Sequence, residues 1–431
     1  MRSQGSPTSK VLTRMTAFSL DGSSPQGIYA PRDAEELAAL LAECNREHRA
    51  VVPWGGGTLQ HLGNLPTRYD AVIQTTNLNQ VVDYAYDDLT ATFQAGMTLA
   101  EIERVLAEHG QFLPIDVPHP DRATLGGVLV TGVNGPLRLR YGPARDFMIG
   151  NRFAIVEGHV IKAGSKVVKN VAGYELHKVQ VGAFGTLGII TEATFKLFPK
   201  PTAETSLWAS FDQLNDACAA VPKLWNLSTP PLAIELLDAS TARFVEPNAS
   251  GSWHLVVRFG GSKAAMAAAR DLSAQVARAN GARSADAVNN ASQLWHAIAD
   301  LPETLREVAP DAVLVQVSVP PKELSNALRI LFDTASAANV APPRMFSHAA
   351  ITNIYASFKD DANGLETLVK NLRAQLSDLH GHLAVTNSPA ALRIKIDAWD
   401  EPGASFRLMQ SLKRKFDPNN ILNPGRFVGG I

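Results

Sequence analysis

The sequence predicts an α+β chain in two unequal parts joined near Pro201. Up to Gly110 the elements read helix, strand, strand, strand, helix, which is not the strict alternation of a doubly wound sheet. Glycine pairs and triplets crowd the stretch from Gly55 to Gly188 and then thin out. After Pro201, longer amphipathic helices separate short apolar strands.

The totals bound what such a chain can be. At 431 residues it is long enough for two or three cores. Charged residues make up 19% and the net charge is -1, so no broad basic surface for nucleic acid is expected. Cys44 and Cys218 are too few for a disulfide framework or an iron–sulfur cluster, which points to a reducing compartment. The opening Met1-Arg2-Ser3-Gln4-Gly5-Ser6-Pro7 lacks the apolar core of a signal peptide. No window approaches the roughly 18 apolar residues of a membrane span. The expected location is cytoplasmic, either free or held at the inner face of the membrane through a partner.

Residues 1–27, rich in Ser, Gly, Gln and Pro, read as a mobile lead-in, and residues 28–201 as the first domain. A helix after Pro31 carries Leu37, Leu40, Leu41 and Cys44 at helical spacing. Val51, Val52 and Pro53 form a short buried strand that enters Gly55-Gly56-Gly57-Thr58. Glycines without Cβ atoms can turn successive N–H groups into an anion-holding concavity, or simply make a turn. A P-loop is excluded, because no Lys-Ser or Lys-Thr follows. Strands are expected over 71–75 and 90–95. Thr98 and Glu101 form a capping box for a helix carrying Leu99, Ile102, Val105 and Leu106.

The next segment favours contact over bulk. Pro118 and Pro120 keep 116–120 extended. The small residues of 124–129 and 131–136 let the backbone lie against a large flat ligand. Residues 141–146 form a turn with the adjacent charges Arg145 and Asp146, strands follow at 153–158 and 159–164, and a glycine turn at 182–188 leads into another strand. Residues 202–404 read as a sheet-and-helix cap, with strands at 231–237, 253–259, 312–319 and 383–386 and helices near 262–280, 291–307, 321–338 and 363–378. Residues 405–431, a helix and a Pro/Asn/Gly-rich tail, return to the first domain.

Five segments occur in an order that resembles the FAD-binding fold shared by vanillyl-alcohol-oxidase (PCMH) type flavoproteins. They are Pro53-Trp54-Gly55-Gly56-Gly57-Thr58, Ala123-Thr124-Leu125-Gly126-Gly127, Tyr141-Gly142-Pro143-Ala144-Arg145-Asp146 with Gly150, Gly173-Tyr174-Glu175-Leu176 leading to Gly185-Thr186-Leu187-Gly188-Ile189-Ile190-Thr191, and Phe416-Asp417-Pro418-Asn419-Asn420-Ile421-Leu422-Asn423-Pro424-Gly425. The last is typical of the 2-hydroxy-acid branch. Val167-Val168-Lys169-Asn170-Val171-Ala172-Gly173-Tyr174-Glu175-Leu176 resembles the smaller FAD-binding subunit of bacterial glycolate oxidases, more properly dehydrogenases.

This resemblance implies two α+β subdomains with FAD between them and an α+β cap over the flavin. It also implies a larger flavoprotein subunit and an iron–sulfur subunit as partners. Glycolate, a small 2-hydroxy acid, would be oxidised to glyoxylate, with electrons leaving through the flavin to the iron–sulfur partner. Two alternatives stay open: a self-sufficient FAD oxidoreductase of a hydroxy acid or sugar alcohol, and a non-catalytic scaffold subunit.

Carried onto this chain, the resemblance gives the N–H groups of Gly55, Gly56, Gly57 and Thr58 to the FAD pyrophosphate. Pro118, Thr124, Gly126 and Gly127 would line the flavin and its linker, and Gly132 would leave room for close backbone approach. Gly188, Ile189 and Ile190 would meet the adenine end, and Asn423 would return to the flavin.

Some departures limit that carry-over. Relatives that attach FAD covalently have a histidine directly after the glycines; here Thr58 stands there and His61 follows later, so non-covalent FAD is expected. Trp54 replaces an arginine, either packing on the adenosine end or filling core. His380-Gly381-His382 lacks the Gly-Asp-Gly-Asn-type segment that accompanies the paired histidines of hydroxy-acid relatives, and His348 is only a spatial possibility as a further ligand, so no metal is assigned. Hydroxy-acid oxidation needs a base and a carboxylate-binding cation; His382 and Arg145 are the candidates, Arg145 also reading as an ion-pair partner.

Overall fold

Burial organises the first layer. Asp33 caps the helix Ala34–Arg46 by accepting from the Glu36 N–H at 2.7 Å, and Leu37, Leu41 and Cys44 on one face are fully buried. That face packs on a parallel sheet in which Ala71–Gln74 lies between Gly27–Tyr29 and Val51–Trp54. The other side of the sheet is closed by Phe18 against Trp54, ring centroids 5.1 Å apart. The computed structural model describes residues 15–165, 175–288, 291–360 and 362–431. Residues 1–14 of the expected lead-in, and 167–174 of the segment resembling the glycolate oxidase subunit, lie outside the described residues.

The second layer is a five-stranded antiparallel sheet ordered Val81–Ala85, Thr90–Gln94, Ile189–Lys196, Met148–Ala154, Val160–Gly164. Phe93, Phe153 and Phe195 are fully buried on it. The capping box is present: Thr98 Oγ1 accepts from the Glu101 N–H, and Glu101 accepts from the Thr98 N–H at 2.8 Å. The small-residue stretch 124–129, expected to let the backbone lie against a flat ligand, is largely helical. Leu125–Thr131 is a helix that starts after Thr124 and stops at Gly132, which takes a left-handed φ of 68°. Two consecutive glycines disfavour a helix. Here Leu125, Val128 and Leu129 anchor it in the core, and a Cβ on Gly126 would stand 3.1 Å from the Ala95 oxygen, so the helix sits close on the sheet.

The cap is built on an eight-stranded antiparallel sheet. Its order is Ser284–Ala287, Ala203–Phe211, Trp253–Gly261, Ala233–Asp238, Arg344–His348, Asn353–Phe358, Val313–Ser318, His382–Asn387. Sequence periodicity finds four of these strands and misses Ala203–Phe211, Ser284–Ala287, Arg344–His348 and Asn353–Phe358. The expected helix over 291–307 is two, Ala291–Ala299 and Leu301–Val308, because Pro302 sits where a helix tolerates it only in the first turn.

Strand alternation sorts the cap's side chains. Ile234, Leu236, Val315, Val317, Met345, Ile354 and Ala356 point to one face, covered by Leu214–Trp225, Lys263–Ala279, Leu324–Ala337 and Ala362–Ser377. The opposite face is partly covered by Ala291–Ala299 and Leu301–Val308 and elsewhere looks onto the first domain. Among the described residues, no helix is long and apolar enough to cross a membrane.

Candidate functional site

The strand Val51–Trp54 ends directly in Gly55-Gly56-Gly57, and the geometry there forbids side chains. A Cβ on Gly55 would stand 2.0 Å from Thr124 Oγ1, and one on Gly56 1.7 Å from the Arg122 carbonyl oxygen. Gly57 adds a φ of 75° and a Cβ position 2.8 Å from Trp54 Nε1. The loop is therefore pressed against the start of the Leu125–Thr131 helix. Among the described residues, the N–H groups of Gly55, Gly56, Gly57 and Thr58 have no protein acceptor, nor has that of Gly127. Thr124 Oγ1 is buried beside them and equally unpartnered. Backbone donors are rarely left unused, so a run of them facing one cleft marks an anion site.

That cleft, about 700 Å³ with the solvent at its mouth included, gathers most of the residues nominated from sequence. Pro53, Trp54, Gly55, Gly56, Gly57, Thr58, Thr124, Gly126, Gly127, Gly188, Ile189, Ile190 and Asn423 all line it. Trp54 packs its ring on Phe18 and turns an edge to the cleft, so it is core and wall at once. Asn423 donates from Nδ2 to the Phe184 oxygen at 2.6 Å, fixing the C-terminal segment against the cleft. Arg426 and Gln60, not nominated from sequence, also line it. Arg426 donates from Nη2 to the Gln60 and Leu62 oxygens at 2.7 and 3.0 Å, its Nε is buried without a partner, and burial pulls its pKa down to about 10. The donor set thus fits a pyrophosphate held mainly by backbone dipoles, with glycine walls for a flat ring system.

Pro118 and Gly132 lie in two chambers that adjoin the cleft under the cap. Arg145 and His382 reach none of the three. Arg145 is exposed, and with the stronger hydrogen bond from Lys178 its charge helps hold Glu175 below the usual carboxylate range. His382 opens the edge strand His382–Asn387 with its side chain 83% accessible, its Nδ1 3.7 Å from Asp400 Oδ2. Neither candidate is placed to meet a substrate beside this cleft.

Several of the polar groups that face the chambers come from the cap sheet's second face. Glu235 and His348 are cross-strand partners, as are His348 and Asn353, and Gln316 and Tyr355. Register therefore brings Glu235, His348, Asn353, Tyr355, Gln316 and Thr386 onto one side of adjacent strands. His348 Nδ1 donates to Glu235 Oε2 at 2.8 Å, with both residues buried. Burial raises the Glu235 carboxyl above its usual range. It would lower the His348 pKa, but the Glu235 carboxylate, helped by Asp116, lifts it above the usual imidazole value.

From the first domain, burial raises Asp116 to about 7 while the Leu137 N–H, 3.0 Å away, opposes that rise. His61 is driven the other way, to about 3, by burial and by Arg306, Arg393 and Arg426. The carboxylate and imidazole groups of His119, Glu303 and Glu307 converge within 4.8 Å. Arg306 already donates to Glu303 at 2.8 Å and the neutral His61 has Nε2 3.3 Å from it, so Glu303 is already engaged by an arginine and a histidine.

The comparisons with known proteins agree with this geometry. Residues 25–164 match the family described as FAD binding domain, and residues 200–427 the one described as FAD linked oxidases, C-terminal domain. The chain is 27% identical to glycolate oxidase subunit GlcD of Bacillus subtilis over 94% of its own length and 89% of the relative's. It is 28% identical to a D-lactate dehydrogenase of Archaeoglobus fulgidus, covering 93% and 91%. With a D-2-hydroxyglutarate dehydrogenase of Xanthomonas citri pv. viticola the identity is 27%, covering 94% and 89%. Among solved structures, p-cresol methylhydroxylase with substrate bound superposes with a TM-score of 0.75 at 14% identity, covering 94% of this chain and 88% of that one. The fold is thus of the p-cresol methylhydroxylase type and the cofactor is FAD, and the chain belongs to the FAD-linked oxidase family.

Proposed function

We propose that this chain is the FAD-binding subunit of a glycolate or related 2-hydroxy-acid dehydrogenase complex. Residues 28–201 would hold the cofactor, residues 202–404 would form the cap, and residues 405–431 would close the cleft from behind. The observation that carries the reading is the run of unpartnered N–H groups from Gly55 to Thr58, in a cleft that adjoins polar chambers under the cap. The relatives named for glycolate, D-lactate and D-2-hydroxyglutarate share the 2-hydroxy-carboxylate unit, which supports that substrate class. Gly55, Gly56, Gly57 and Thr58 would take the pyrophosphate, Thr124, Gly126 and Gly127 the flavin side, and Gly188, Ile189 and Ile190 the adenosine side.

Bound oxidised flavin supplies a two-electron acceptor for the hydrogen on the carbinol carbon. Onward transfer needs a partner centre. Cys44 is buried and Cys218 half-buried, and burial raises their thiols to about 11 and about 12, so two protonated thiols do not make a cluster site. The resemblance to the smaller glycolate oxidase subunit supplies the partners of this reading, a larger flavoprotein subunit and an iron–sulfur subunit. A self-sufficient oxidoreductase is the second reading, favoured by the buried His348–Glu235 pair in the chamber wall.

Anaerobic reduction separates the two. The FAD-loaded chain is mixed with glycolate or D-lactate, first alone and then with the larger flavoprotein and iron–sulfur subunits, and flavin absorbance is followed. Bleaching only with the partners supports the complex, and bleaching alone supports the second reading. A flavin that stays oxidised in both mixtures removes the 2-hydroxy-acid assignment.

A further inference from the structure

The C-terminal segment carries a local excess of positive charge. Residues 402–431 hold Arg407, Lys413, Arg414, Lys415 and Arg426 against one acid, Asp417, in a chain whose net charge is -1. Lys413 and Asp417 answer each other out of solvent, and Arg426 is buried beside the cleft. Arg407, Arg414 and Lys415 remain, all exposed on the helix Phe406–Phe416, and among the described residues no carboxylate pairs with any of them. Glu401, the acid just before the helix, is exposed and equally unengaged. Helix stability does not account for the set. Cations in the last turn complement the helix dipole, which suits Arg414 and Lys415. Arg407 stands in the first turn, where the dipole opposes a cation and no acid accompanies it. Leu408 beside it is 65% exposed.

The opposite face of the helix is occupied. Phe406, Met409, Leu412 and Phe416 are half-buried at helical spacing, and Phe416 packs on Phe153 with ring centroids 6.2 Å apart. At the other end, the Phe406 ring fills the space where a Cβ on Gly429 would stand. Three further rings lead from the cleft to that end. Phe184, buried in the cleft wall, stacks on Phe427 with centroids 5.6 Å apart, and Trp399 meets the two edge-on at 5.2 and 5.4 Å. Phe427 and Trp399 are half-buried, so the cluster reaches from the cleft wall to the surface, and Phe427 precedes Gly429 by two residues. The rings therefore emerge beside the first turn of the cationic helix. Electron tunnelling weakens exponentially with distance, so a protein that takes electrons from this cleft is best seated where the wall is this thin.

We propose that Arg407, Leu408, Arg414 and Lys415 form the docking face for an acidic surface of the electron-accepting iron–sulfur protein, an assignment that rests on the complex reading above. Unpaired cations on such a face speed the encounter with an acidic partner and fix its orientation, and Leu408 supplies an apolar anchor. A lipid bilayer fits this helix less well. Interfacial helices bury a broad apolar face in the membrane, and here that face is turned into the protein, with Leu408 left outside.

Binding kinetics on the immobilised, FAD-loaded chain test the face with the iron–sulfur subunit, an acidic plant-type ferredoxin and phosphatidylglycerol vesicles as probes. The combined variant Arg407→Gln, Arg414→Gln, Lys415→Gln leaves Lys413 and its partners in place, so its FAD content and thermal midpoint should stay close to those of the wild type. The wild type is expected to bind the iron–sulfur subunit with an association rate that falls steeply as ionic strength rises. The combined variant should associate at least about 10-fold more slowly at low salt and with a flatter salt dependence. Leu408→Ser should associate normally and dissociate at least about 5-fold faster. Ferredoxin should show the same pattern. Wild-type kinetics of the iron–sulfur subunit on both variants would overturn the docking face and leave the complex reading standing. Ferredoxin binding that the combined variant loses, with no binding of the iron–sulfur subunit, would keep the docking face and remove the complex reading. A wild type that binds neither protein, or binds only the vesicles, overturns the docking face.

Discussion

At the scale of single residues, Gly127 offers the cleanest separation of cofactor contact from fold. It lies in the helix Leu125–Thr131, and a Cβ there would meet only Thr124 Oγ1, at an ordinary 3.4 Å. Gly127→Ala should therefore stabilise the FAD-free chain by about 0.5–1 kcal/mol, the usual gain of alanine over glycine inside a helix. The same methyl projects into the cleft and should weaken FAD at least about 10-fold, or about 1.4 kcal/mol. Thermal unfolding of the FAD-free protein and an FAD titration read the two effects in opposite directions. A methyl that leaves FAD affinity unchanged would place the cofactor elsewhere.

The cleft was readable from sequence because glycine is conspicuous wherever it serves close approach. The chamber was not. Glu235 and His348 are 113 residues apart, each sits in an ordinary apolar strand, and only sheet register makes them partners. The available signal is a polar residue at alternate positions of an otherwise apolar strand, as in Ala233-Ile234-Glu235-Leu236-Leu237, and it does not say which other strand will answer it. Arg145 and His382 were conspicuous by charge and neighbouring motif, and surface exposure is what such residues usually have.

At the scale of elements, the C-terminal helix Phe406–Phe416 is tied to the cleft by an unusual lysine. Lys413, 6% exposed, donates to Asp417 at 2.7 Å, to the Leu422 oxygen at 2.9 Å and to the Thr186 oxygen at 3.1 Å. Asp417 also accepts from the N–H groups of Ile421 and Leu422, at 3.0 and 2.8 Å, and Asn423 follows directly. The knot therefore joins the glycine turn around Thr186 to the segment that carries Asn423. Lys413→Met leaves a buried carboxylate with backbone donors only, and should cost about 3 kcal/mol. The urea midpoint should fall and FAD should be released more readily, because the back wall of the cleft loosens with the knot. An unchanged midpoint would show that the ion pair is dispensable. From sequence, the tail's return to the first domain was visible in its Pro/Asn/Gly pattern, whereas a lysine in Lys413-Arg414-Lys415 reads as a solvated face.

At the scale of the whole molecule, the two domains meet through titrating groups. His61 of the first domain faces Glu303 and Arg306 of the cap, and its folded pKa of about 3 lies far below the ordinary 6.5. A depressed histidine contributes stability in full above about pH 6.5, and loses it as pH falls toward 3, with a limiting slope of about 1.4 kcal/mol per pH unit. Glu303, raised by burial, opposes this just above its ordinary 4.5, because its proton is held more tightly in the fold than outside it. Thermal midpoints between pH 7 and pH 5 should therefore fall in the wild type and fall less in His61→Gln, where the histidine term is gone. Parallel curves would mean that the interface does not hold His61 neutral. Acid should loosen the cap over the cofactor first.

The most direct measurement of the cleft is the visible spectrum of the purified chain in the presence of ample FAD, before and after acid precipitation. The expected result is about one flavin per chain that passes entirely into the acid supernatant, since Thr58 stands where a tethering histidine would be. A colourless protein would contradict the assignment of the Gly55–Thr58 donors, and flavin remaining on the precipitate would contradict a cofactor held by backbone dipoles alone.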